Sequence, residues 1–349
     1  MKPLLTFILT FILTLFMFLP STLAWGMEEL HILSSDRITP PDLVERFERE
    51  RGLRVRFEYF ESPAALAAYL ETRPRGDLAL LRGYHVGRLV ENSQLSPLDH
   101  QLLPNLKNLG GEMSSTIDPE YQYALPYLLG TMGIVYRTDL LDGPPPAWSW
   151  IFDRFAGSAS FASTNQYRDA MGVALRELGY SYNSTSPVAI GQAAEVLRNL
   201  TNHPAFMGFL DPAGTLRFLR EKFIYAAVTY NNLAAEAMEG DPGLSFDIPA
   251  DGGVAWSYVY VLNSQSQRTE AAHQWLNFLM EPEVAAHIAT WNRATSPNHA
   301  ARTLLPPEII SNPVLYPPLE IWRACETAKS VDVESEKLYV QFWSQIMMK

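Results

Sequence analysis

The chain is almost without cysteine: Cys325 is the only one in 349 residues. A single thiol cannot close an intramolecular disulfide, so an exported fold would have to rest on its packed core. Basic residues are also in short supply. The 27 Lys and Arg face 38 Asp and Glu, a formal net charge of −11, which argues against nucleic acid or an anionic membrane surface as partner. Catalytic signatures are missing too. There is no G-x-S-x-G, H-E-x-x-H, G-x-x-x-x-G-K or paired C-x-x-C. The seven histidines, His31, His85, His100, His203, His273, His287 and His299, lack the spacing of metal ligands. Cys325 has no local context of a nucleophile. The expectation is a protein that is not an enzyme and uses no cofactor or metal. Repeats, low-complexity tracts and long linkers are absent as well.

What is present is a large apolar fraction, 47% hydrophobic against 19% charged. That suffices for a substantial core, and a length of ~100–200 residues per domain suggests two lobes. Residues 1–24 read as a secretory signal. Lys2 precedes an apolar run from Leu4 to Leu19, and Ser21-Thr22-Leu23-Ala24 offers a small-residue cleavage site. The run is short for a membrane span of ~20 residues, and no basic stop-transfer cluster follows. Cleavage after Ala24 would leave 26 basic and 38 acidic residues, a net charge of −12. No cysteine lies near that site, so a lipid-anchored form is not expected.

The rest of the chain is organised around Tyr123 to Leu141. Its alternating aromatic and β-branched residues predict a strand, punctuated by Gly130 and Gly133. Pro126 inside the run points to an edge or a crossing segment rather than a central strand. Before it, strands are predicted at Leu30–Leu33, Leu53–Phe60 and Asp77–Leu81. Helices lie between them, one from Thr39-Pro40 to about Glu50 and stopped by Gly52, one opened by Ser62-Pro63. Strand–helix alternation of this kind predicts an α/β fold with a parallel sheet. Tyr84-His85 falls just past a strand's end, where such sheets place ligands.

After it, Phe152 to Phe161 begins a second lobe. Helices are predicted at Asn165–Leu178, with Leu178 on the apolar face, and at Pro187–Leu200. A strand is predicted at Phe223–Thr229, a helix from Leu233, a strand at Val254–Leu262, and helices at Glu270–Met280 and Pro282–Thr290.

Several stretches, in this order, resemble the spermidine/putrescine-binding proteins of bacterial ABC importers, within the periplasmic solute-binding proteins. They are Pro40-Pro41-Asp42-Leu43-Val44-Glu45-Arg46-Phe47, the Tyr123–Leu141 run, Ala174-Leu175-Arg176-Glu177-Leu178-Gly179-Tyr180, Gly252-Gly253-Val254-Ala255-Trp256, Leu276-Asn277-Phe278-Leu279 and Ser296-Pro297-Asn298-His299-Ala300-Ala301-Arg302. The resemblance implies a two-lobed, type II-like α/β fold, each lobe a mixed sheet flanked by helices, with hinge crossings. It places a signal peptide at 1–24, one lobe at 25–135 plus 257–300, and the other at 136–256 plus 301–349. It implies a periplasmic monomer that closes on a small ligand, an amine by preference, and delivers it to an ABC permease.

The resemblance also implies site residues. Tyr84 matches the family's aromatic after the third strand, Asp169 its acid early in the second-lobe helix, and Trp256 its tryptophan after the double glycine. Tyr230 replaces another tryptophan. Ser35-Asp36-Arg37 stands at a Trp-Ser/Thr-acid run, so either Asp36 or Arg37 takes the acid's place. Arg82 replaces a small hydroxyl residue, Gln166 an acid, Tyr258 a central aspartate, and Ala294 a tyrosine. An amine needs carboxylates at its ammonium groups and aromatic faces along its methylenes. Asp36 and Asp169 with Tyr84, Tyr230, Trp256 and Tyr258 would suit one, while Arg37 and Arg82 would suit a carboxylate-bearing ligand. Each has a plainer role: core aromatic, helix N-terminal acid, or solvated arginine. Other readings remain open at this point: a sensor subunit reporting to a transmembrane receptor, an envelope factor without ligand, and an exported hydrolase.

Overall fold

Thirteen helices and eleven strands alternate through the described residues of a computed structural model, which are 28–72, 75–111, 113, 117–140, 147–153, 160–250 and 252–348. The expected signal segment lies outside them, as does most of the stretch read as the start of the second lobe. Strand β1 (Glu29–Ser34) is followed by α1 (Pro41–Arg51), β2 (Arg54–Tyr59), α2 (Pro63–Leu70) and β3 (Leu78–Arg82). β1 pairs in parallel with both β2 and β3, as helical crossovers require. Gly52 ends α1 in the left-handed region at φ 66°, a conformation glycine adopts without steric cost. The Ser62 hydroxyl caps α2 by accepting from the Ala65 N–H at 3.1 Å. Thr39 does not cap α1 as expected. Pro40 holds that position, and the Thr39 hydroxyl is drawn instead to the Tyr260 hydroxyl, 3.3 Å away.

Next come α3 (Val86–Glu91), β4 (Leu95–Ser96) and β5 (Ala124–Arg137). All fourteen residues of β5 are buried. It lies inside the sheet and is no edge, but it does change partners part-way, as a crossing segment would. From Ala124 to Met132 it pairs with β10 (Val254–Asn263); from Met132 to Arg137 it pairs with β8 (Ala226–Tyr230) and β9 (Leu244–Asp247). Pro126 is accommodated where the β5–β10 register shifts, between Tyr258 and Val259, because a bulge removes the need for its missing donor. Gly130 is required by packing: a Cβ there would lie 2.2 Å from the Trp256 indole.

The remaining elements are α4 (Ser149–Asp153), β6 (Phe161–Thr164), α5 (Tyr167–Glu177), α6 (Pro187–Leu200), β7 (Phe206–Leu210), α7 (Pro212–Arg220), α8 (Asn231–Gly240), α9 (Thr269–Leu279), α10 (Pro282–Asn292), α11 (Pro307–Ile310), α12 (Leu319–Ala324), β11 (Glu326–Thr327) and α13 (Val333–Met347). Leu178 falls just past α5 and is 37% exposed, because Gly179 at φ 77° turns the chain away there. The strand expected from Phe223 begins at Ala226; Phe223 packs outside on Phe218.

The strand order is β2-β1-β3-β10-β5-β8-β6-β7. One group of strands, β1 to β3, therefore lies on the β10 side of the central pair, and another, β6 to β8, on the β5 side. α13 packs back on α5 and α6.

Candidate functional site

Strand ends from both groups converge on one cavity. Asp36 follows β1. Arg82 is the last residue of β3, and Tyr84 follows it. Tyr258 lies opposite Arg82 in the β3–β10 pairing. From the other side come Tyr230, the last residue of β8, and Asp169, in the first turn of α5. The cavity has a volume of about 250 Å³. Ser35, Asp36, Glu61, Ser62, Pro63, Arg82, Tyr84 and Tyr258 line it from one side, and Asn165, Gln166, Asp169, Asp211, Pro212 and Tyr230 from the other.

Its floor is a tight polar cluster. Asp169 is buried, and the Tyr182 hydroxyl donates to its Oδ1 at 2.6 Å. The Tyr230 hydroxyl donates to Oδ2, which also accepts from Arg82 Nη2 at 3.3 Å. The Arg82 guanidinium carbon lies 4.9 Å from the Tyr230 ring centre, 5.3 Å from Tyr258 and 5.6 Å from Trp256. Burial, then the charge of Asp169, pushes the Tyr230 phenol well above its ordinary pKa. Burial and then Asp36 do the same for Tyr258. Both therefore remain neutral hydroxyls. Asp36 Oδ2 accepts from the Ser35 hydroxyl at 2.6 Å.

The floor is held from behind. Arg168, one residue before Asp169, is fully buried, with its guanidinium carbon 4.4 Å from the Tyr339 ring centre. It donates to the Lys329 carbonyl at 3.2 Å. α5 is thus pinned to α13 and to the segment before it, which fixes where Asp169 points.

A chain whose strand groups meet at such a cleft invites comparison with known two-lobed proteins. Residues 42–317 match the family described as bacterial extracellular solute-binding protein. The chain belongs to that family. Among its relatives, the spermidine/putrescine-binding periplasmic protein of Salmonella typhimurium is 29% identical over 336 residues, covering 93% of this chain and 95% of that one. The putrescine-binding periplasmic protein PotF of Escherichia coli is 27% identical, covering 93% of each. A solved structure described as a putative spermidine/putrescine ABC transporter from Listeria monocytogenes superposes with a TM-score of 0.84 at 28% identity, over 92% of this chain and 99% of that one. The α/β architecture is the two-lobed periplasmic-binding-protein fold.

In this solute-binding protein, Asp36, Arg82, Tyr84, Asp169, Tyr230 and Tyr258 all line the cavity. Two other expected residues do not. Trp256 is buried behind Arg82, and its indole N–H donates to the Thr131 carbonyl at 3.1 Å. Arg37 is exposed and lies over the Tyr59 ring, 3.9 Å from its centre. Asp36 faces the cavity and Arg37 does not. Ala294 is buried in the core. The acids Glu61 and Asp211, which sequence reasoning missed, sit at the exposed rim from opposite sides. Both carry a readable local signal. Glu61 precedes the Ser62-Pro63 helix start, and Asp211-Pro212 is itself an N-cap, Asp211 accepting from the Gly214 N–H at 2.6 Å. That signal predicts a helix start; it does not say which way the loop faces.

Proposed function

We propose that the protein is a periplasmic solute-binding protein that captures an aliphatic amine, a polyamine or a close relative, between its lobes and delivers it to an ABC importer. The observation that carries this is the charge of the cavity wall: four carboxylates, Asp36, Glu61, Asp169 and Asp211, against one cation, Arg82. Three tyrosines stand among them, able to flank methylenes and the faces of ammonium groups. The names of the relatives point the same way. Nothing favours an anionic ligand, because Arg82 is already paired with Asp169 and Arg37 faces away. We assign the lobes as 25–135 with 257–300 and 136–256 with 301–349. The ligand touches both and so favours the closed state. The bound protein acts as a monomer in the periplasm, after loss of residues 1–24.

The test is a thermal-shift and calorimetric screen of residues 25–349 against putrescine, spermidine, agmatine, basic and acidic amino acids, and phosphate. An amine at 100 times its dissociation constant adds ~2.7 kcal/mol to stability. The expected result is a shift with amines alone, reduced at least about tenfold in affinity by Asp36→Asn. A response to the anionic compounds alone would overturn the reading.

A further inference from the structure

Arg82 is a cation in the cleft that belongs to the chain itself. Its guanidinium has Asp169 at 3.3 Å and the rings of Tyr230, Tyr258 and Trp256 within 5.6 Å. One carboxylate and three aromatic faces around a positive charge is the chemistry that holds an alkylammonium group away from water. Here that box is already full, and both charged partners are more than nine-tenths buried. Arg82 comes from β3 and Asp169 from α5, so the pair spans the cleft.

We propose that Arg82 is a specificity-determining residue, a built-in cation that fills the Asp169 subsite and confines the ligand's ammonium groups to Asp36 and the rim acids. The proposal rests on the amine reading above and narrows it. An ammonium driven toward Asp169 meets a like charge, and displacing Arg82 breaks a buried pair. With Asp169 taken, the carboxylates left to the ligand are Asp36 and the exposed rim acids Glu61 and Asp211. A triamine brings one more ammonium than a diamine, and the one buried carboxylate of the wall, Asp169, is closed to it by Arg82. The added charge of a triamine therefore gains least in this cleft, and the diamine is favoured.

Isothermal titration calorimetry with putrescine and spermidine tests this on the wild-type chain, Arg82→Gln and Arg82→Lys, with folding checked by circular dichroism. Wild type is expected to prefer putrescine. Arg82→Gln frees Asp169 and should raise spermidine affinity relative to putrescine about tenfold or more, in line with the coupling of close charge pairs. Arg82→Lys, which returns a cation to the box, should restore the wild-type order. A wild type that prefers spermidine, or a ratio unchanged in Arg82→Gln, overturns the proposal and leaves the amine reading standing. Failure of every protein to bind either amine overturns both.

A second measurement does not depend on the variants folding. In the wild type saturated with putrescine, the Arg82 side-chain nitrogen resonances should keep the slow rotation of a paired guanidinium. Release of those signals on binding would mean that the ligand takes Asp169, and the proposal would fall.

Discussion

Asp169 accepts hydrogen bonds from two phenols and one guanidinium in a site nearly closed to water. Removing a partner from a buried ion pair strands the other charge. Asp169→Asn keeps the shape and removes the charge, so Arg82 is left buried beside neutral groups. A loss of about 3 kcal/mol in unfolding free energy is expected, read from the urea midpoint at pH 7; a midpoint within error of wild type would mean Arg82 finds water or another acid.

His85 makes a second case at this scale. Its Nε2 is enclosed without a hydrogen-bond partner. Burial, then the charges of Arg82, Arg168 and Arg88, lowers its pKa to about 3. The folded state therefore keeps it neutral, whereas the unfolded chain protonates it near pH 6.5. Between those values the unfolded state binds the extra proton. Stability is thus complete above about pH 6.5 and falls as pH drops toward 3, by up to about 1.4 kcal/mol per unit. His85→Phe should flatten the stability difference between pH 7.5 and 5 measured by denaturant titration. An equal pH dependence in both proteins would assign it to the carboxylates.

At the scale of elements, α7 shows one residue serving two ends. Asp211 caps the helix through its Oδ1 and also faces the cavity rim. Asp211→Ser separates the roles, since serine caps as well as aspartate but carries no charge. Stability should stay within about 0.5 kcal/mol. Amine affinity should fall about threefold in low salt and less in high salt, because the lost charge is exposed and screened. Calorimetry at two ionic strengths checks this, and a salt-independent loss would point to a direct buried contact. The long strands β5 and β10 make a related point. β10 pairs with β3 of one group, β5 pairs with β8 of the other, and the two pair with each other, so both cavity walls hang on one central pair.

At the scale of the molecule, the wall residues arrive from opposite sides of that pair, so any ligand that touches Asp36 and Tyr230 bridges the cleft. A saturating amine is expected to lower the radius of gyration in small-angle scattering of residues 25–349. Binding without compaction would show that the lobes are already held together, with the Arg82–Asp169 pair as the contact to remove next.

Local chemistry alone determined the early βαβαβ order, the stop at Gly52, the cap at Ser62 and the whole of α6, because each depends on residues within a turn of one another. The same pattern placed Tyr84 at a strand end, and family resemblance singled out Asp36, Arg82, Asp169, Tyr230 and Tyr258. β7 was not legible, since Phe206–Leu210 contains a glycine at φ 117° and has no clean alternation. Tertiary structure alone decided what those residues do together. Arg82 and Asp169 are 87 residues apart, and no local pattern says that one neutralises the other. Trp256 and Tyr258 lie two residues apart on one strand, yet only Tyr258 reaches the cavity, because the indole packs against Gly130 and donates to the Thr131 carbonyl. Glu61 and Asp211 look like helix starts until the two strand groups face each other across the cleft. A sequence records which groups can pair; distance and burial, set by the packing of the whole chain, select which ones do.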